Sequence, residues 1–314
     1  MLLKRKDIIE HILKTEPYLI AETCKKEGNT ALHIAIKERY FEGINLLMAV
    51  DKEVLKSLLN CQNKEKMTPL FLAFQNYNKN LVLNIFQQHQ EILSYDVKDK
   101  EDKTALHYAV EYNQLDAVKV LLSVEGFSKS LVNSQATCEK TTPLMLAIRK
   151  DNRDMIEEIL NFNGLEFSLK NAKDQNVLHL LMMKKNIEHS ESVLKMACRN
   201  GSNQCLSCQM DKEQKKLPLH YAAEYDFFEG AKLLLIQDNH PAKSCCNDQI
   251  DQAFAKLQMK ENEFLASPLF KILLENWTCV EKSLAWYATK HSKLSILDYL
   301  LKDKYSILIH AKNV

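Results

Sequence analysis

The residues most suggestive of chemistry are cysteines beyond the middle of the chain. Cys205 and Cys208 have the spacing at which two thiolates can chelate zinc, and Cys198 and His189 precede them. A closed structural zinc site takes four ligands, and no second cysteine pair at matching spacing follows. We therefore expect reduced cysteines here rather than a metal site.

A second candidate for chemistry is the pair Cys245 and Cys246, in the stretch 239–265. A cysteine nucleophile there would make the protein an enzyme. The stretch is too short to form an independent domain, so the enzyme stays the alternative to a binding role. An enzyme predicts turnover of a captured partner, whereas a binding module predicts a stoichiometric complex with the partner unchanged.

Four histidines invite a catalytic or metal-binding interpretation because they recur. His33, His107, His179 and His220 each take the fourth place of a repeated phrase. Each belongs to a different copy of that phrase, so two of them cannot share one ligand. We therefore expect these histidines to have a structural role.

Glycine usage excludes the common phosphate-binding loops. The chain has only six glycines, and none lies within three residues of another. Both the P-loop and the dinucleotide fingerprint need closely spaced glycines. We expect no catalytic residues and no cofactor.

The charge balance gives no case for nucleic acid as a partner. The 42 basic and 41 acidic residues leave a formal net charge of +1, so no large field of one sign is expected. Nearly all the basic residues are lysines, whereas bidentate reading of phosphate favours arginine.

The sequence predicts a cytoplasmic protein. No apolar run approaches the about 18 residues that a membrane-spanning helix needs, so no membrane insertion is expected. Lys4, Arg5 and Lys6 come before any apolar stretch that could serve as a secretory signal. Nine scattered cysteines without such a signal indicate reduced thiols in a cytosol, and we expect a monomer.

The elements that position these residues follow from an internal repeat. A four-residue phrase recurs seven times with leucine at its third place, and its copies begin at Thr30, Thr68, Thr104, Thr142, Asn176, Leu217 and Ser267. Three residues after that leucine, five copies have alanine. We expect one buried leucine in each repeat and a small residue where adjacent helices approach closely.

A second helix is predicted about twelve residues after each opening. Apolar residues at helical spacing mark it most clearly in 117–122 and 155–160. The sharp turn between the two helices is predicted at residues that tolerate the left-handed conformation, Asn113, Asp151, Asp226 and Asn276.

The Thr-Pro-Leu-His opening, the helix-turn-helix and a period near 33 together resemble the ankyrin repeat, over about residues 1–302. The resemblance implies an all-α-dominated repeat solenoid. It also implies that the first helix of each repeat is the inner one, that the His ring bonds to backbone between repeats, and that a β-hairpin finger precedes each opening.

The chain departs from the family in its spacing, because its openings lie 38, 36, 38, 34, 41 and 50 residues apart. The extra residues follow the second helix, as in 51–60, and are expected to add helical turns there. We predict an N-terminal capping helix over 1–25 and a C-terminal capping helix and tail over 291–314. Between them, 26–290 holds about seven repeats, with insertions near 184–212 and 239–265 and an open register between 239 and 302.

The resemblance implies a module that binds another protein on the concave ankyrin groove. Residues just after the inner helix point into that groove in this family, and aromatic residues recur at that level, as exposed hot-spot residues do in protein interfaces. We predict partner contacts at Tyr112, Tyr77, Tyr225, Arg149, Lys150, Tyr40 and Trp277. The two basic residues favour an acidic residue on the partner.

A binding module could act in either of two cellular locations. An adaptor would act in the cytoplasm of its own cell, whereas a bacterial effector would be secreted and recruit a protein in the cytosol of a host cell. The lysine-rich and asparagine-rich composition agrees with an effector.

Overall fold

A computed structural model describes residues 6–124, 128–199, 206–213, 216–225, 227, 229–230 and 233–234. The chain divides into two compact units, Met1–Ala172 and Lys173–Val314. The all-α repeat fold expected from the sequence is confirmed, since helix–turn–helix pairs follow one another through the described residues.

The first unit consists of an N-terminal helix and four repeats. Its helices are α1 (Lys6–Thr15), α2 (Ala31–Lys37), α3 (Phe41–Met48), α4 (Lys52–Asn60), α5 (Pro69–Gln75), α6 (Lys79–His89), α7 (Ala105–Glu111), α8 (Leu115–Ser123), α9 (Lys129–Val132), α10 (Pro143–Arg149) and α11 (Arg153–Leu160). Repeat 1 comprises α2 to α4, repeat 2 α5 and α6, repeat 3 α7 to α9, and repeat 4 α10 and α11. Short 3-10 helices occur at Pro17–Ala21 and Gln90–Ile92.

The second unit continues the pattern with α12 (Val177–Met183), α13 (Ile187–Arg199) and α14 (Pro218–Glu224), and with a 3-10 helix at Leu206–Cys208. The predictions for Asp226, Asn276, the stretch 239–265 and the C-terminal cap lie outside the described residues.

The inner helices α2, α5, α10 and α12 begin at the repeated phrase because the first residue of the phrase caps the helix. The Thr68 hydroxyl accepts the backbone N–H of Phe71 at 3.3 Å, and Thr142 does the same for Met145 at 3.2 Å. Proline follows at the first helical position, where its missing N–H costs no hydrogen bond.

Where the fourth residue is histidine, its ring links one repeat to the next. The Nδ1 atom of His107 accepts the backbone N–H of Thr104 at 3.2 Å, so Nε2 carries the proton and donates to the Thr141 carbonyl at 3.0 Å. His33 makes the same bond to the carbonyl of Met67 at 2.9 Å. The structural role expected from the sequence is confirmed for His33, His107 and His179, whereas the side chain of His220 lies outside the described residues.

The repeated leucine and alanine form the core of the stack. Leu106 and Ala109 are fully buried, and Leu144 is 3% exposed. Each buried alanine places a methyl group where a larger side chain would separate the helices. The register predicted from the sequence is therefore confirmed over the described openings.

The turns between paired helices use left-handed backbone, only partly at the residues predicted. Asn113 and Asp151 have φ values of 55° and 56°, as expected. Arg39, Tyr77 and Lys185 take the same conformation with φ between 53° and 54°, although such side chains disfavour it. The packing of the two helices determines the backbone conformation of the turn, and the side chains of these three residues are exposed to solvent.

The β-hairpin fingers implied by the resemblance are reduced to tight turns, and the described residues hold one isolated bridge, Ala136–Thr141, and no strand. The Asp99 carboxylate accepts the N–H groups of Glu101 and Lys103, both at 2.8 Å. In a β-hairpin such N–H groups would bond to the opposite strand. Here the Asp99 side chain accepts them and closes the turn.

Polar side chains bridge neighbouring repeats in the first unit. We call these bridges the polar clamps and each junction between two repeats a step; the clamps occur at every second step. The Asn60 amide donates to the Ile92 carbonyl at 2.6 Å, and Asn133 donates to Gly164 at 2.8 Å. The glutamines two residues later bridge the same steps, from repeat 1 to 2 and from repeat 3 to 4. The histidine links occur at these same two steps, because repeats 2 and 4 have Phe71 and Met145 in place of histidine.

Candidate functional site

A row of four aromatic rings runs from the core of the first unit to its surface. Tyr108 stacks on Phe71 with ring centroids 4.8 Å apart, and Tyr112 stacks on Tyr108 at 6.1 Å. The edge of Tyr77 meets Tyr112 at 5.2 Å, and Tyr77 is 70% exposed. We call the outer pair, Tyr77 and Tyr112, the tyrosine patch; it joins repeats 2 and 3.

The inner end of the row is held by a carboxylate of the finger. The Tyr108 hydroxyl donates to Asp99 Oδ2 at 2.7 Å, and burial together with that carboxylate raises the pKa of Tyr108. The same pairing recurs in the second unit, where the Tyr221 hydroxyl donates to Asp211 at 2.6 Å. Tyr108 therefore stays neutral and fixed, and it gives Tyr112 a rigid support.

Charged groups around the patch are largely paired with one another. Lys103 contacts Glu101 at 3.1 Å and Glu111 at 3.2 Å, while Lys79 contacts Asp116 at 2.9 Å. Partial burial opposes the charge of Lys103, but its two glutamate partners outweigh that effect and raise its pKa. Burial, and then the charge of Glu111, raises the pKa of Tyr112, so its hydroxyl is neutral at ordinary pH. The patch therefore offers aromatic surface with little net charge.

The two basic residues predicted to contact a partner lie at the end of α10. Arg149 forms an ion pair with Glu139 on the finger of its own repeat, and this pairing lowers the pKa of Glu139. Lys37 and Glu27 make the equivalent link in repeat 1, at 3.0 Å. Lys150 is exposed and has no ion pair among the described residues. Of the two basic residues predicted to contact a partner, Arg149 is therefore neutralised by an ion pair and Lys150 is not.

Of the remaining predicted contact residues, Tyr40 makes no ring contact with the tyrosine patch. Tyr40 is half-buried, and its ring lies so close over Gly43 that a Cβ there would be 2.3 Å from Cδ1. Tyr225 belongs to the second unit and is 39% exposed. Trp277 lies outside the described residues. Sequence reasoning missed Tyr108, whose place in the opening gives no sign that it supports Tyr112.

The candidate metal ligands are only partly covered by the structure. His189 is buried, and its Nδ1 lies 2.9 Å from the side-chain oxygen of Asn186. Cys205, Cys245 and Cys246 lie outside the described residues. Across the part of the chain that is described, no group of three or more histidine, cysteine, aspartate or glutamate residues is arranged to hold a metal ion.

None of the helices over the described residues is both long and apolar enough to cross a membrane.

Comparison with known proteins agrees with the helical repeat. The family model described as ankyrin repeats (3 copies) matches residues 46–133 and 94–171. An ankyrin repeat protein of fowlpox virus, FPV223, is 31% identical over 137 residues, which cover 43% of this chain and 84% of that protein. The E3 ubiquitin-protein ligase mind-bomb of Drosophila melanogaster is 30% identical over 169 residues, covering 54% of this chain and 12% of the ligase.

Among solved structures, the ankyrin repeat domain of Bcl-3 superposes with a TM-score of 0.49 at 18% identity, over 67% of this chain and 86% of that domain. The chain spans about a third or less of the length of the longer relatives that it matches. Ankyrin repeats are stacked units whose extended surface binds other proteins. With its repeated openings, the family-model match and the coverage of FPV223, the chain belongs to the ankyrin-repeat family and is a protein–protein interaction module.

Proposed function

We propose that the first unit binds a partner protein in the concave ankyrin groove, with the tyrosine patch at the centre of the contact. In this proposal Tyr77 and Tyr112 are inserted into the partner, and Lys150 approaches an acidic residue of the partner. The chain acts as an adaptor without catalysis, as a monomer in the cytoplasm. An effector secreted into a host cell would use the same surface.

The observation that carries the proposal is a large aromatic side chain where the fold favours a small one. Tyr77 has φ 54° and is 70% exposed. Left-handed backbone costs a residue with a Cβ about 1–2 kcal/mol, and asparagine or glycine would avoid part of that cost. The ring gives the fold one edge contact with Tyr112 but leaves most of its own surface exposed, and a role in binding explains why tyrosine stands there.

The support beneath Tyr77 suits a binding hot spot. Tyr77 rests against Tyr112, and Tyr112 is stacked on the buried Tyr108. A ring already held in place loses little conformational entropy when a partner covers it, so more of its burial energy contributes to affinity. Since the neighbouring charges are paired, we expect affinity that changes little with salt concentration.

The test is Tyr77→Asn. We expect stability that is unchanged or higher by up to about 1 kcal/mol, because asparagine tolerates left-handed backbone. Affinity should fall by about thirtyfold or more, as truncation of a central aromatic residue commonly costs over 2 kcal/mol. Folding is followed by urea denaturation. Binding is followed by calorimetry with a partner first captured by affinity purification and identified by mass spectrometry.

Arg39→Asn is the matched control, because Arg39 has φ 53° at the equivalent turn of repeat 1 and is exposed. It should give the same relief of backbone strain with no loss of affinity. If the folded Tyr77→Asn variant binds the partner as tightly as the unaltered chain, the patch is not the binding site.

A further inference from the structure

A groove separates the second helices of repeats 1 and 2, α3 and α6, and its lining includes neither Tyr77 nor Tyr112. It has a volume of about 510 Å³, and none of its ten lining residues carries a charge. Five of them are carboxamide residues, Asn45, Asn78, Asn80, Asn84 and Gln88. Asn78 caps α6 by accepting the N–H of Leu81 at 3.2 Å, whereas the other four side chains make no hydrogen bond within the described residues. The groove is therefore polar, neutral and rich in unused donors and acceptors.

The charged residues of these two helices, Glu42 in α3 and Lys79 in α6, are exposed in the first turn of each helix and do not line the groove. In the groove the polar side chains are amides, and the apolar ones include Met48 and Phe41, which is 60% exposed. A charged ligand would find no counter-ion in the groove, so the chemistry favours a neutral one.

The spacing of the amides matches an extended polypeptide. Asn80, Asn84 and Gln88 are four residues apart on one face of α6, so they rise by about 6 Å at each step. Peptide units on one side of an extended chain repeat about every 6.6 Å. Each carboxamide has a carbonyl acceptor and N–H donors, the same groups that a peptide unit presents.

We propose that this groove binds an extended, uncharged peptide segment of a partner protein. The amides of Asn80, Asn84 and Gln88 pair with alternate peptide units of that segment, and an apolar side chain of the segment packs on Phe41 and Met48. Neither Tyr77 nor Tyr112 lines the groove, although Asn78, the residue after Tyr77, does. The peptide contacts proposed here therefore do not involve the tyrosine patch.

The experiment selects peptides from a phage-displayed nonapeptide library on the full-length chain and measures their affinity by fluorescence anisotropy. Asn84→Leu and Gln88→Leu should each weaken the selected peptides by about fivefold or more, the range expected for one or two lost hydrogen bonds. Gln87→Leu is the matched control, because Gln87 is exposed on the same helix but does not line the groove. It should leave affinity unchanged.

Two further readouts separate this groove from other sites. Methylation of alternate backbone nitrogens in a selected peptide should abolish its binding, and Tyr77→Asn should not affect it. The proposal is overturned if no peptide depends on Asn84 and Gln88, including the case in which none is selected. It is equally overturned if a neutral oligosaccharide, rather than peptide, binds in a manner that those two variants abolish.

Discussion

Acidification should destabilise the first unit through His107. This ring is 1% exposed and is held in its neutral form, with Nε2 donating to the Thr141 carbonyl at 3.0 Å. Burial lowers the pKa of His107 from its ordinary value of 6.5 to about 4. The unfolded chain therefore binds more protons than the folded chain between these two pH values. Stabilisation is complete above pH 6.5 and is lost as the pH falls toward 4.

The size of the effect follows from the two pKa values. At about 1.4 kcal/mol for each pH unit between them, protonation of His107 costs the folded state about 3 kcal/mol once the pH is below 4. At pH 4.5 roughly 2 kcal/mol of this should already be lost. That loss is large compared with the 5–15 kcal/mol by which domains are commonly stable.

The assay compares the chain with His107→Met, which copies the residue that repeat 4 already has at this place, Met145. At pH 7 the variant should be less stable by about 1–3 kcal/mol, because the Thr141 carbonyl loses its buried donor. Between pH 7 and pH 4.5, however, its stability should fall by roughly 2 kcal/mol less than that of the unaltered chain. Urea denaturation at each pH gives both quantities.

The proton itself can be followed by NMR of the histidine rings in the folded protein. We expect the His107 ring to titrate near pH 4. A midpoint above 6 in the folded chain, or the same dependence of stability on pH in both proteins, would refute the reasoning from burial and hydrogen bonding.

Four other variants test the core, the polar clamps and the binding surface. Leu106→Ala and Leu144→Ala should each cost about 2–5 kcal/mol on urea denaturation, and a loss under about 1 kcal/mol would contradict the repeat register. Asn133→Ala should cost about 1–3 kcal/mol by the same measurement, because it leaves the Gly164 carbonyl without its donor; an unchanged midpoint would mean that water replaces the amide. Tyr112→Ala combined with Arg149→Ala should remain helical by circular dichroism and lose affinity for a captured partner, whereas full affinity would exclude this part of the groove.

The sequence allowed the core to be predicted because its signal is local and periodic. One leucine recurs at a fixed place in each opening, and an alanine follows it three residues later in five of the seven copies. Asn113 and Asp151 could be predicted as turn residues because their own conformational preferences agree with the turn. Arg39 and Tyr77 could not, since their preferences oppose the conformation that helix packing imposes on them.

The candidate site was only partly predictable for a related reason. Counting places after each opening put Tyr77 and Tyr112 at neighbouring levels, and their rings are indeed in contact. The same count also selected Tyr40, whose ring instead lies over Gly43 because a glycine one turn along the helix leaves room for it. The pairing of Arg149 with Glu139 joins a helix end to a finger, and no spacing rule within a single helix signals it.

Because the polar clamps occur at every second junction, the junctions between repeats of the first unit differ in strength. Steps 1–2 and 3–4 are each held by a buried histidine link and by asparagine and glutamine bridges. Step 2–3 has none of these among the described residues. It is joined by the aromatic row, by two exposed ion pairs, by a contact of the Tyr108 hydroxyl with the Met67 sulfur and by one backbone bond from Lys100 to Glu65. In a one-dimensional stack the weakest junction decides where the chain first opens. Hydrogen exchange should therefore resolve two cooperative blocks that part at step 2–3.

The tyrosine patch lies across that same junction. A partner that covers Tyr77 and Tyr112 would hold the two blocks together. Its binding would therefore slow amide hydrogen exchange in both blocks, including residues far from the contact. The repeats would then transmit binding as a change in stiffness rather than a change in shape.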